Sequence, residues 1–496
     1  MSLGLLLLLG ATVVLAALMA TKVGDRLGLP SLILFLGLGV VLSFDSALSL
    51  YDAQLAQDLG FAALVIILIE GGLSTKWDEI RPAIVPAILL ASVGVVVTIC
   101  LQGIFGYFVL GFPLAVAVLL AAILAPTDSA AVFSVLRHVP LPARVRSVLE
   151  GESGLNDAPT VLLVTVATQW ALGTVTVDSS LWLTGALVVG ELVGGIVFGL
   201  LFGYVGVQIL RRLALPASGL YPLAVIGWAV ASYGLGVVMH LSGFAAVYVC
   251  AVILGNGKLP HRHAARSFAD GIAWIAQIGL FVMLGLLTHI WTITATDVLL
   301  GVLAGLFLTF IVRPLSVWLC TIPMKLTTAE KVFVSWGGLR GAVPIVLATI
   351  PMAAGLPDAT AIFDTTFIAV VVLTLVNSPT LPWAAKVLGL VGQTHELDIE
   401  VAPMDMVEAT MVTAAVSPKS RLHGVAVFEL GLPANVQVSL IIRGDRMFTP
   451  HGRDLIQAGD QLLIVCPSAK RAQVEDRLKV IDHGGRMGGW LRRGTG

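Results

Sequence analysis

Long apolar blocks separated by short polar or charged punctuation run from the first residues to about position 390. A bilayer core about 30 Å thick takes about 20 apolar residues of helix, fewer where a helix is broken inside protein. On that ruler the pattern predicts thirteen spans, at 3–20, 30–43, 58–73, 83–109, 113–135, 148–172, 181–210, 219–238, 241–256, 268–289, 293–320, 332–353 and 362–385. The first block has no positive charge ahead of it and reads as an uncleaved span rather than a leader. From about 391 the pattern changes, opening on the polar stretch Thr394 to Glu400. Apolar residues then alternate at Val425/Val427, at Val436/Val438/Leu440/Ile442 and at Leu462/Ile464, which predicts short strands, followed by a closing helix from Ala469 to Ile481. The expected organisation is an all-α polytopic membrane unit at 1–390, a linker at 391–415, a small α+β domain at 416–481 and a flexible tail at 482–496.

Basic residues test the span count independently. Lys22, Arg26, Lys76, Arg81, Arg137, Arg144, Arg146, Arg211, Arg212, Lys258, Arg262, Arg266, Lys325 and Lys331 all follow odd-numbered spans. The segments 44–57, 173–180, 290–297 and 354–361 carry Asp45, Asp52, Asp178, Asp297 and Asp358 but no Lys or Arg. Cytoplasmic loops collect positive charge, so the N-terminus is expected outside and everything after span thirteen in the cytoplasm, in a plasma membrane (the inner membrane of a bacterium). On the same rule Arg313, followed by Pro314, is expected to snorkel to the cytoplasmic face.

Composition agrees with the pattern. With 57% hydrophobic and 12% charged residues and a mean hydropathy of +0.96, the surroundings are membrane lipids. A net charge of −1 gives no footprint for a nucleic-acid polymer. Cys100, Cys250, Cys320 and Cys466 are scattered without metal-ligand spacing.

The chemistry lies in ionisable residues at bilayer depth. Each costs roughly 2.5 to 3.5 kcal/mol on insertion scales and so marks a pathway for ions or protons. The run Gly151-Glu152-Ser153-Gly154-Leu155-Asn156-Asp157-Ala158-Pro159 puts two carboxylates and an amide inside span six. Asp128 in span five and Arg340 in span twelve fall at similar depth, beside sequences that break helices: Ala125-Pro126-Thr127-Asp128 and Gly337-Gly338-Leu339-Arg340-Gly341-Ala342-Val343-Pro344. Spans five and twelve cross in opposite directions, the footprint of inverted repeats whose two broken helices meet at a midplane site. A desolvated carboxylate there holds protons more tightly than in water, so proton and alkali ion compete for it. If the site turns over only when occupied, that competition is exchange.

Those three motifs, in order through residues 1–390, resemble the NhaP-like branch of the monovalent cation:proton antiporter family. The resemblance implies that Asp157 binds cation and proton alternately, with Ser153 as a hydroxyl ligand, the Thr127 carbonyl as a third oxygen on K⁺ or Na⁺, and Asp128 close to the ion. Glu70 resembles the span-three acid that holds ion-bound water. Glu152 and Arg340 would pair as a structural ion pair. Asn156 stands where electrogenic relatives have a second aspartate, which implies electroneutral exchange of one cation for one proton. A homodimer is the family expectation, with no enzymatic step and no cofactor beyond the transported K⁺ or Na⁺ and H⁺. Leu422-x-Gly424, Glu429-Leu430, Ile442-Arg443-Gly444, Pro450 and Gly459-Asp460-x-Leu462 resemble the RCK-C (TrkA-C) domain. That implies a small-molecule regulator, favours K⁺, and suggests a role in cytoplasmic pH, cation and volume homeostasis. A ligand-gated cation channel is the alternative that uses the same acids.

Overall fold

The structure is a computed structural model. It describes every residue except 1–2, 28–29, 45–50, 129–130, 133–134, 137–138, 140, 175–180, 214, 325, 392–397, 405–408, 418–419, 445 and 489–496. Of the loop charges, Asp45, Arg137, Asp178 and Lys325 lie outside the described residues, as do positions 394–397 of the polar stretch.

Each expected span coincides with a helix or a broken pair. In order these are α1 (Leu3–Leu27), α2 (Ser31–Leu42), α3 (Ala53–Ser74), α4 (Arg81–Phe108), α5 (Leu114–Ile123), α6 (Ala143–Ala171), α7 (Leu181–Arg212), α8 (Leu220–Val238), α9 (Gly243–Asn256), α10 (Arg262–Leu287), α11 (Ala295–Cys320), α12 in two halves (Thr328–Trp336 and Ala342–Ala353) and α13 (Ala359–Val387). Among the described residues, eight helical stretches are long and apolar enough to cross a membrane by length and composition. The others are short or broken, and α6 carries the charged motif. The short α2 has only 12 residues, and its Phe35 and Leu36 are buried in the protein.

Packing sorts the spans into two groups. In one, α2 and α3 lie on α10, α3 on α9, and α7 and α8 on α9. In the other, α4 packs on α5, α5 on α6, and α11 on α13 and on the second half of α4. The groups are α1–α3 with α7–α10, and α4–α6 with α11–α13. Setting α7 aside as the connection between repeats α1–α6 and α8–α13, each group holds one triplet from either repeat, as two interleaved inverted repeats require. They meet where α3 packs on the second half of α12 and α9 on α6.

Residues 392–496 form a second compact unit. Strands β1 (Asp398–Met404), β2 (Ala409–Ala415), β3 (Gln437–Arg443), β4 (Arg446–Phe448) and β5 (Asp460–Pro467) make an antiparallel sheet in the order β1-β2-β5-β3-β4. A helix, α14 (Arg471–Gly488), buries Val474, Leu478 and Ile481, one residue per turn, against it. Asp460 has no accessible surface and accepts from Arg443 Nε at 2.7 Å and Nη2 at 2.8 Å. Three boundaries differ from expectation. The stretch 391–415, read as a linker, carries β1 and β2, because Val412 and Ala414 find a covered face on β5. The Val425/Val427 pair makes only an isolated bridge from Ala426 to Leu455 before a 3₁₀ turn at Val427–Leu430. The closing helix runs on to Gly488, leaving 489–496 of the tail outside the described residues.

Candidate functional site

The two breaks lie against one another. Pro126 has no N–H to give, and after Leu124 residues 125–128 leave helical geometry. In α12 the glycine-rich stretch 337–341 is irregular between the two halves. The Asp128 N–H donates to the Leu339 carbonyl at 2.8 Å. Arg340, 2% exposed, donates from Nε to the Leu124 carbonyl at 3.2 Å, from Nη2 to the Ala125 carbonyl at 3.5 Å, and from Nη1 to the Gly338 carbonyl. Helices end with unpaired carbonyls and a partial negative charge, and Arg340 supplies donors and positive charge at the end of α5. Asp128 does the converse: its carboxylate accepts from the Ala131 N–H at 3.2 Å and abuts Gly341, where the second half of α12 begins. A Cβ on Gly341 would overlap that carboxylate, so the crossing needs glycine there.

The expected ion pair has a different partner. Glu152 is 2% exposed, and its carboxylate is clasped bidentately by Arg313, Nη2 to Oε2 at 2.8 Å and Nη1 to Oε1. Arg340 spends its donors on carbonyls instead. Arg313, expected to snorkel, is 4% exposed and also donates to the Val334 carbonyl at 3.3 Å. Its inward aim comes from a π-helical turn at Leu308–Val312 just before it. One extra residue in the turn rotates the remainder of the helix by about 100° relative to an unbroken α-helix. A second π-turn, Leu90–Gly94 in α4, packs on the segment Arg313–Cys320 that follows the first, and Ser316 Oγ donates to the Gly94 carbonyl at 3.0 Å.

A cavity of about 570 Å³ separates the two helix groups at this level. Asp157, Ser153, Thr127 and Asp128 line it from one side; Glu70 and Tyr248 line it from the other. It extends along α6 to Arg146 and Glu150, and to Lys76 at the end of α3. Arg146 lies eleven residues before Asp157, about 16 Å along the helix. Asp157 is 9% exposed, and its Oδ1 is buried with no hydrogen-bond partner. Glu70 accepts from the Ser74 hydroxyl at 2.8 Å.

Of the residues singled out in the sequence, Asp157, Ser153, Thr127, Asp128 and Glu70 come together on one cavity, while Asn156 is not among its lining residues. Asn156 is 1% exposed and donates to the Thr127 hydroxyl at 2.9 Å, tying α6 to the break in α5. Tyr248, Lys76 and Glu150 were not singled out by motif. Tyr248 carried no signal in the sequence; in the structure it lies against Gly154 of the span-six motif, where a Cβ would strike its hydroxyl. Carboxylate, hydroxyl and carbonyl oxygens suit a hard alkali ion. Among the described residues no three His, Cys, Asp or Glu groups cluster to hold a metal ion.

Comparison with known proteins matches residues 12–387 to the sodium/hydrogen exchanger transmembrane family and residues 411–479 to the TrkA-C domain. The K(+)/H(+) antiporter NhaP2 of Shewanella sp. (strain MR-4) is 32% identical over 468 residues, 92% of this chain and 80% of the relative. The K(+)/H(+) antiporter NhaP of Alkalimonas amylolytica is 33% identical over 477 residues, 94% of this chain and 81% of the relative. The Na(+)/H(+) antiporter NhaH of Halobacillus dabanensis is 30% identical over 319 residues, 61% of this chain and 76% of the relative. The solved structure of the sodium proton antiporter MjNhaP1 from Methanocaldococcus jannaschii shares the fold, with a TM-score of 0.65 at 22% identity, over 76% of this chain and all of that one.

Proposed function

The chain belongs to the sodium/hydrogen exchanger family, and from that premise we propose the cycle its geometry supports: a monovalent cation and a proton take turns on Asp157 as the two helix groups alternate access to it. The observation that carries this reading is the buried, unpartnered Oδ1 of Asp157 at the far end of a cavity from Arg146 and Lys76. A bare oxygen in a low-dielectric site gains from either a proton or an alkali ion, and each excludes the other. Ser153 and Thr127 complete the oxygen shell, Asp128 and Arg340 hold the crossing that presents it, and Glu70 faces the ion from the opposite wall. The relatives named as K(+)/H(+) antiporters over more than nine-tenths of this chain, together with the TrkA-C match, favour K⁺ over Na⁺.

Asn156 makes the exchange electroneutral. With an amide in place of a second carboxylate, one negative charge carries either one cation or one proton. Lys76 and Arg146 at the cavity mouth belong to the positively charged loops, so the mouth faces the cytoplasm, the N-terminus lies outside, and the TrkA-C unit is cytoplasmic, where a small ligand and a second copy of the chain act on it. A ligand-gated channel fits less well, because it needs a continuous pore. Here Gly60 of α3 is in close contact with Val346 of α12 and the groups pack together there.

Reconstitution in liposomes tests the reading. With voltage clamped, added K⁺ or Na⁺ is expected to drive a change in internal pH that disappears in Asp157→Asn. Full activity in that variant, or a rate that follows the imposed voltage, would overturn the Asp157 and electroneutral assignments respectively.

A further inference from the structure

Between Gly271 and Leu287 the Trp274 indole and the Gln277 amide are the only polar side chains of α10. Gln277 is half-buried and lines the cavity that ends at Asp157. Among the described residues none hydrogen-bonds to its amide. An amide in apolar surroundings with no protein partner costs free energy unless water or an ion stands in for one. Leu32, Leu64, Leu68 and Phe281 make the wall that carries Gln277 largely apolar, so the cavity itself is where such a partner comes from. At about 570 Å³ it has room for several waters at about 30 Å³ each.

The amide is presented by a fixed helix. Next to it along α10, a Cβ on Gly39 of α2 would overlap the Val282 carbonyl, and one on Gly285 would overlap the Leu36 carbonyl. At its other end Arg266 donates from Nη2 to the Gly255 carbonyl of α9 at 2.9 Å. Gln277 lies eleven residues beyond Arg266, about 16 Å along the helix, as Asp157 lies eleven beyond Arg146. The same helix packs on the second half of α12. That half begins with Ala342 and Val343, which also line the cavity, directly after the Gly341 against which the Asp128 carboxylate rests. Gln277 and Asp157 thus belong to different helix groups and look into one water-sized space.

We propose that Gln277 is a cation-binding residue of the exchanger: its amide oxygen, directly or through one water, faces the cation held at Asp157 from the α10 wall, so that the loaded site draws oxygens from both helix groups. The inference rests on the exchange reading. A neutral carbonyl oxygen treats the two exchanged species differently. It stabilises an alkali ion that still carries part of its water shell, whereas a proton is bound covalently to the carboxylate and needs no further ligand. Gln277 therefore acts on cation affinity and leaves proton competition as it was.

The test is the K⁺ dependence of proton exchange in everted membrane vesicles at two pH values, with the amount of protein in the membrane quantified. Gln277→Met keeps the length of the side chain and removes its oxygen. It is expected to raise KM for K⁺ by about three- to tenfold with kcat little changed, water replacing part of what is lost. The rise is expected to be the same factor at both pH values, because proton competition is untouched. Gln277→Asn, which keeps the amide on a shorter stem, is expected to raise KM by less. A KM within about twofold of wild type in Gln277→Met, a loss confined to kcat, a rise at one pH and not the other, or a Gln277→Asn no better than Gln277→Met would overturn the proposal and leave the exchange reading intact. Absence of cation-dependent proton flux in wild type, or undiminished flux in Asp157→Asn, would instead overturn the exchange reading and the role of Gln277 with it.

Discussion

Glu152 should be coupled energetically far more strongly to Arg313 than to Arg340. Both side chains of the Glu152–Arg313 pair are nearly dry, 3% and 5% exposed, with two parallel hydrogen bonds between them. Removing one member strands a charge that keeps its desolvation cost, and breaking a buried pair in this way costs about 3–5 kcal/mol. Removing both, as in Glu152→Leu with Arg313→Met, removes the stranded charge along with the attraction, so the double variant should lose far less than the two single losses combined. The coupling in that cycle is expected at about 2–4 kcal/mol. The Glu152→Leu, Arg340→Met cycle is expected below about 1 kcal/mol, since Arg340 is committed to carbonyls of residues 124, 125 and 338. Unfolding of the purified protein by SDS in mixed micelles, followed by tryptophan fluorescence, measures each corner. Equal coupling to both arginines, or single variants within about 1 kcal/mol of wild type, would refute the assignment of the pair.

Other outcomes rest on the same geometry. Gly341→Ala places a methyl on the Asp128 carboxylate and should abolish exchange in a protein that still reaches the membrane, measured as cation-driven pH change. Gly154→Ala drives a methyl into the Tyr248 hydroxyl on the opposite cavity wall and should lower kcat while leaving thermal stability within a few degrees of wild type. Because proton and cation compete for one carboxylate, KM for K⁺ should rise by up to about tenfold per pH unit once protons outcompete it, at constant kcat; a KM flat from about pH 9 to about pH 6 would contradict competition. In the C-terminal unit, Arg443→Met leaves Asp460 buried without its guanidinium partner and should cost that unit about 3 kcal/mol, read by hydrogen exchange on β3 and β5.

Helix existence was legible because it depends on one local quantity, apolar length, checked by a second, the side on which Lys and Arg fall. That is why even α2, at 12 residues, was found. The breaks were legible for a similar reason: Pro126 and the glycines at 337, 338 and 341 act through their own backbone. The C-terminal unit was read less well. β1 and β2 carry few strand-forming residues in a row, and β2 is a strand because β5 covers it, with Val412 opposite Ile464. The Val425/Val427 alternation failed for the opposite reason, having no neighbouring strand to pair with beyond one bridge.

Arg313 shows where residue-by-residue reading stops. An arginine near the end of an apolar helix, with no acid close in sequence, has every local reason to reach for the interface. The π-turn at Leu308–Val312 changes the face it presents, and nothing in Leu-Thr-Phe-Ile-Val announces that turn. A π-turn disturbs the regular α-helical pairing of its backbone and persists where the surroundings repay the loss. Here α11 and α4 are corresponding spans of the two repeats, each has its π-turn midway, and the segment Arg313–Cys320 that follows the turn in α11 packs on the turn in α4, with Ser316 bonded to the Gly94 carbonyl. The pairing of the repeats therefore stabilises the irregularity, the irregularity aims Arg313, and Arg313 holds Glu152 on the helix that carries Asp157. Each step in that chain is a contact between segments far apart in sequence, so the carboxylate at the cavity's end could be located from its own neighbours while the side chain that steadies its helix could not.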